Sequence, residues 1–254
     1  MADNLLYDVR DGAAWVTLNR PDARNALSDP LVLELGVALR QALADEAVRL
    51  VVLTGNGPAF CAGADLKSGG MKSADTGEQN PFVAALTTIW NSPKPVVARV
   101  NGHAFGGGVG LVAACDIAIA VDSAMFSFSE VRIGVIPAMI SVVVLPKLGI
   151  QNAMWLFVTG ERIAAPRAVE VGLLHRSVPA DALDAAVDDV AAMIRLGGPN
   201  AIREAKQLVR RIPSMPMDAA FRYTSDKIAE LFASAEAAEG MLAFVEKRKP
   251  RWAH

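Results

Sequence analysis

Residues 102–110 read GHAFGGGVG, between the apolar run VVARV (96–100) and the apolar run LVAACDIAIA (111–120). The pattern is a buried strand, a glycine turn and the start of a buried helix. Glycine at such a junction lets another group come close to the backbone. The first N–H groups of a helix have no acceptor inside it, and the helix dipole makes that end positive. The turn therefore suits a partial negative charge. Two familiar phosphate loops do not fit. A dinucleotide turn needs Gly-x-Gly-x-x-Gly, and Leu111 stands where its last glycine belongs. A P-loop needs Gly-Lys-Ser/Thr, which does not follow here. A plain tight turn remains the structural alternative.

A second turn of the same kind lies upstream. The run RLVVLT (49–54) reads as a buried strand, and FCAGADL (60–66) follows it as a small-residue turn. One N–H donor makes a poor oxyanion hole. Two turns giving one N–H each can converge on one oxygen, and each donor of such a pair is worth roughly 3–4 kcal/mol in a transition state.

Outward from these turns, the first half alternates short β runs and helices. Strands are expected at 5–10, 14–19, 49–54, 96–100, 115–120 and 125–128. Ser28 and Pro30 open a helix to about residue 45, with Leu31, Leu35, Leu39 and Leu43 on one face. Residues 67–80 (KSGGMKSADTGEQN) have no periodicity and read as a surface loop. From residue 151 helical patterns dominate: 151–159, 166–171, 181–197, 199–211, 217–234 and 236–247.

The 254 residues are 52% hydrophobic and 20% charged, enough for a large core. A formal net charge of −2 gives no electrostatic case for nucleic acid. The run 111–121 is broken by Asp116 and is too short to span a bilayer. Cys61 and Cys115 form no Cys-x-x-Cys pair, and the N-terminus lacks a signal-peptide pattern, so a reducing, cytoplasmic setting is expected. His103, His175 and His254 lack ligand spacing, so no metal is expected. Cys61 reads as a small buried thiol and Asp116 as a hydrogen-bonded structural group.

Six segments together resemble the crotonase (enoyl-CoA hydratase/isomerase) superfamily: NRPDARNAL (19–27), LTGNGPAFCAGADL (53–66), PKPVVARVNGHAFGGGVGLVAACDIAIA (93–120), FSFSEVRIGVIP (126–137), TGERIAAPRAVEVGLLHRSVP (159–179) and AFVEKRK (243–249). They span nearly the whole chain, in order. The resemblance implies an α/β fold, a crotonase-like spiral of β-β-α units over 1–195, and a C-terminal helical trimerisation region over 196–254. It implies an acyl-CoA thioester substrate, no cofactor beyond the coenzyme A of that substrate, and a homotrimer or dimer of trimers. By position, the oxyanion donors are Ala64 and Gly107. Ala62, Lys67, Phe244 and Lys247 match coenzyme A contacts, the last two often supplied by a neighbouring subunit. Asp65, beside Ala64, is expected to cap backbone N–H groups.

One position departs from the pattern. Typical hydratases of this family use two glutamates, since water must lose a proton and C2 must gain one. Glu130 matches the second; Gly110 stands where the first belongs. Three outcomes stay open. Glu130 alone sustains hydration, or it shuttles a proton between C2 and C4 as in 3-enoyl to 2-enoyl isomerisation, or a loop carboxylate such as Asp75 or Glu78 fills the gap. A non-catalytic acyl-CoA binder is the further alternative. The overall texture is most similar to bacterial hydratases of the methylglutaconyl-CoA type. Ala138 after Pro137, where many hydratases have glycine, bears on how water is placed.

Overall fold

In the computed structural model, which describes residues 4–68 and 80–253, a hairpin and a helix precede three strand–strand–helix units. β1 (Leu5–Arg10) and β2 (Ala13–Leu18) pair antiparallel across the Asp11-Gly12 turn. α1 (Asp29–Ala44) buries Leu31, Leu35 and Leu39, the spacing-four face. Ser28 is its N-cap, but the hydroxyl makes no capping bond; the Ser28 carbonyl accepts from Val32 N at 3.0 Å.

The units are β3 (Leu50–Gly55), β4 (Ala59–Cys61) and α2 (Pro81–Asn91); β5 (Val96–Val100), β6 (His103–Phe105) and α3 (Gly107–Ala114); β7 (Ile117–Val121), β8 (Met125–Ser127) and α4 (Ala138–Thr159). After them come β9 (Arg162–Ala164), α5 (Ala165–Glu170), β10 (Arg176–Val178), α6 (Leu183–Leu196), α7 (Pro199–Arg211), α8 (Met217–Phe232) and α9 (Ala235–Val245). The first strand of each unit enters a six-stranded sheet, ordered β1-β2-β3-β5-β7-β10. The second enters a four-stranded sheet, ordered β4-β6-β8-β9. Parallel pairing between helices buries a strand on both faces, which is why β3 is apolar and wholly buried. The crotonase-like spiral expected from the sequence is the fold observed.

Several elements differ from the sequence reading. β9 and β10 lie in the part read as helical, and β10 completes the large sheet by pairing with β7. α2, over a stretch to which the sequence reading assigned no helix, begins at Pro81, with the Asn80 side chain accepting from Phe82 N at 2.9 Å; most of the stretch read as a surface loop, 69–79, lies outside the described residues. α4 begins at Ala138 rather than near 151; Pro146 lies inside it, and Gly149 breaks it with φ 66° and ψ 168°. By length and apolarity α4 is able to cross a bilayer, but this break and its core-packed Ile140, Val143, Val144 and Leu148 make it a helix of the fold.

The C-terminal helices are tied back at two places. Arg49 donates to Gly197 O at 2.7 Å and to Trp252 O at 3.0 Å. Asp116 accepts from Val96 N at 2.8 Å, Lys206 Nζ at 2.7 Å and Arg210 Nη2 at 2.6 Å, the structural role expected of it.

Candidate active site

The small sheet positions the site. β4, β6 and β8 are parallel neighbours, so their C-terminal ends lie side by side. Each end runs into one expected residue: Ala64 after β4, Gly107 after β6 and Glu130 after β8. All three line one cavity of about 540 Å³, together with Ala62, Gly63 and Gly106. Ligands of parallel sheets commonly bind at that end of the strands.

The orientation of each N–H follows from local bonding. Leu27 forms a parallel bridge with Ala64: Leu27 N donates to Gly63 O at 2.8 Å and Asp65 N to Leu27 O at 3.1 Å. A residue bracketed in this way turns its own N–H to the opposite side. The turn is held from below, since Ala62 N donates to Arg24 O at 2.9 Å. Buried Asn25, at φ 56°, fixes that support by donating to Asn56 O at 2.9 Å and Ala59 O at 2.8 Å. Gly107 is the first residue of α3, so its N–H has no acceptor within the helix. The two turns touch: a Cβ on Gly63 would lie 3.6 Å from Gly107 N and 2.9 Å from Phe105 O. Gly63 has φ 90°, a left-handed conformation suited to glycine.

Glu130 sits in the short 3-10 turn Ser129–Ile133. Gly106 N donates to Ser127 O at 2.9 Å and so brings this turn beside Gly106. A Cβ on Gly106 would stand 3.1 Å from Glu130 Oε1, and Gly106 has φ 50°. Glu130 Oε2 is buried and, among the described residues, has no hydrogen-bond partner. Burial is the main cause that raises its pKa above the ordinary glutamate value; a bond from its own backbone opposes this. The carboxyl is thus aimed into the cavity, partly desolvated and able to exchange a proton.

The remaining glycines serve packing. A Cβ on Gly108 would meet Cys61 O at 2.4 Å, and one on Gly110 would meet Ile140 Cγ2 at 2.2 Å. Cys61 is fully buried, with its thiol pushed up to about 12. Asp65 accepts from Lys67 N at 3.2 Å, as expected of a capping residue, and also pairs with Arg20 at 2.9 Å.

Ala62 also lines a smaller cavity of about 250 Å³ with Arg24, Pro58, His103 and Phe105. Lys67 is exposed beside Arg20 and Arg24 on a groove that adjoins Ala64. Arg24 is a residue that sequence reasoning missed; it lies in the quoted NRPDARNAL segment, at φ 50°. Phe244 and Lys247 are not brought to these cavities by their own chain: Phe244 is 85% exposed and Lys247 is exposed at φ 53°. Asp75 and Glu78 lie outside the described residues. Among the described residues, no group of three His, Cys, Asp or Glu side chains gathers to hold a metal. His103 and His175 each use Nδ1 to accept a backbone N–H at 3.1 Å, from Met125 and Ala118.

A spiral of strand–strand–helix units, with Ala64, Gly107 and the Glu130 carboxyl lining one cavity, defines the crotonase class of α/β proteins. The chain belongs to the enoyl-CoA hydratase/isomerase family, whose model matches residues 8–254. It is 37% identical over 255 residues to "Probable enoyl-CoA hydratase" of Rhizobium meliloti, covering 99% of this chain and 98% of that one. It is 35% identical over 257 residues to "Carnitinyl-CoA dehydratase" of Escherichia coli K12, covering 97% of each. Among solved structures, an enoyl-CoA hydratase/isomerase from Marinobacter aquaeolei superposes with a TM-score of 0.91 at 33% identity, covering all of both chains.

Proposed function

We propose that the protein is an enoyl-CoA hydratase that adds water across the 2,3 bond of an acyl-CoA thioester, or removes it, with Glu130 as its single acid–base group. The observation that carries this reading is the Glu130 carboxyl, buried at Oε2, beside two N–H groups at the ends of neighbouring strands. The thioester oxygen binds the N–H groups of Ala64 and Gly107. They stabilise the negative charge that develops when C3 is attacked. Glu130 takes a proton from water as it attacks C3, and the same carboxyl then gives a proton to C2. Its raised pKa suits it to both roles.

Coenzyme A lies across Ala62. Arg24 and Lys67 on the adjoining surfaces meet its phosphates. Phe244 and Lys247 complete that pocket from a neighbouring copy in a homotrimer, or a dimer of trimers. In this reading 1–195 is the spiral core and 196–254 the assembling region. No cofactor is needed beyond the coenzyme A of the substrate, and the two unpaired buried cysteines support a cytoplasmic protein.

A lone carboxyl also suits proton transfer between C2 and C4, which would make the protein a 3-enoyl to 2-enoyl isomerase. Turnover of 2-enoyl- and 3-enoyl-CoA thioesters in ¹⁸O-labelled water separates the two. The expected product gains one labelled water. Conversion of a 3-enoyl to a 2-enoyl thioester with no gain in mass would replace hydration by isomerisation.

A further inference from the structure

The place left by Gly110 is filled. A Cβ there would fall 2.2 Å from Ile140 Cγ2 and 2.9 Å from Ile140 Cβ, so a side chain at 110 and the observed Ile140 exclude each other. Ile140 is 3% exposed and packs from α4 against α3 while lining the same cavity as Glu130. Gly107 and Gly110 share one face of the first turn of α3, since residues three apart stack on a helix, and Gly106 precedes them as the N-cap. Gly106 meets Glu130 and Gly110 meets Ile140. The isoleucine therefore lies over the first turn of α3, which Gly107 opens, and lines the cavity together with Gly107 and Glu130. Glu130 and the expected donors line that same cavity, so its wall at Ile140 faces whatever the reacting carbons carry.

We propose that Ile140 is a specificity-determining residue, an apolar stop that limits the bulk of the substituent on the reacting carbons and rejects polar ones. This deepens the hydratase reading and rests on it. A hydroxyl or charge pressed on this wall would lose water without gaining a partner. An alkyl group keeps its gain until it meets the methyl groups, and a pocket senses one methylene as a factor of roughly 10–200.

The experiment compares but-2-enoyl-CoA with 3-methylbut-2-enoyl-CoA for the wild type, Ile140→Val and Ile140→Ala. The expected result is a kcat/KM ratio that moves towards the branched thioester, at least threefold in Ile140→Val and at least tenfold in Ile140→Ala. An unchanged ratio in both variants, with wild-type hydration intact, overturns the role of Ile140 and leaves the proposed function standing. Should the wild type hydrate neither thioester, the comparison is read from binding instead, and the labelled-water assay alone judges the proposed function. The binding ratio of the saturated butanoyl- and 3-methylbutanoyl-CoA then decides: a shift towards the branched ligand in the variants supports the stop, and a constant ratio overturns it. Ile140→Val loses one carbon only and guards against a folding defect. Packing is read separately from melting temperatures. Gly110→Ala should lower that of the wild type but cost markedly less in the Ile140→Ala background, and equal losses in both would contradict the exclusion.

Discussion

Gly106 and Glu130 depend on each other. The carboxyl approaches the chain where a side chain would stand, and the glycine adopts φ 50° to allow it. Gly106→Ala adds a Cβ 3.1 Å from Oε1 and strains that conformation. It should cut kcat more than it weakens coenzyme A binding, as steady-state kinetics and ligand titration would show. Glu130→Gln removes the proton donor and acceptor, so turnover should fall by roughly 10²–10⁴-fold while acyl-CoA binding persists. The same substitution should raise stability at alkaline pH. Burial raises the Glu130 pKa, so its favourable contribution is complete below the ordinary glutamate value and is lost as pH rises through the folded value. Above that window the charged carboxyl is a cost that glutamine lacks. Thermal melts should place Glu130→Gln above the wild type at pH 8, with the difference closing towards pH 4. Equal melting temperatures across the range would contradict the strained, desolvated carboxyl.

The ends of β4, β6 and β8 hold the site, and α7 is anchored behind it. Lys206 and Arg210 reach back to Asp116, with side chains 7% and 13% exposed. Arg210 also covers the Trp90 ring at 3.7 Å. Asp116→Ala leaves two poorly solvated cations unpaired and should cost about 3–5 kcal/mol in chemical unfolding. Gly108→Ala pushes a Cβ onto backbone and side chain of Cys61 and should cost roughly 1–3 kcal/mol by the same measurement. The glycine turns were legible because glycine at a strand–helix junction has a local cause. The expected residues Ala62, Ala64, Gly107 and Glu130 do meet in one cavity. β4, β6 and β9 escaped because three residues are too few to show alternation. β10, Arg-Ser-Val, carries no apolar run at all. The start of α4 was hidden by Pro146 and Gly149: the proline sits inside the helix, and the glycine kinks it, so the sequence showed only the part beyond the kink. Ile140 was beyond reach of local reasoning, since its contact with Gly110 spans thirty residues of chain and depends on how α4 packs on α3.

Over the described residues, large exposed apolar groups lie on the last helices and also on α4, where Val142, Ile150, Met154, Trp155 and Val158 are each more than half exposed. Met217, Phe221, Ile228 and Phe232 on α8, with Phe244 and Val245 on α9, are each more than half exposed. A single chain of 26.8 kDa gains nothing from this arrangement in water. Light scattering should give a mass three or six times that of the chain. Phe221→Glu should lower the mass and weaken acyl-CoA binding together, because a neighbour is expected to supply Phe244 and Lys247. A monomeric wild type that binds coenzyme A thioesters fully would contradict that assembly. The central claim is that one carboxyl carries hydration, and the pH dependence of kcat/KM tests it most directly. For a 2-enoyl-CoA substrate the account predicts a single rise in rate, through a pKa above the ordinary glutamate value, that disappears in Glu130→Gln. A second enzyme ionisation, or hydration that survives in Glu130→Gln at near wild-type rate, would contradict it.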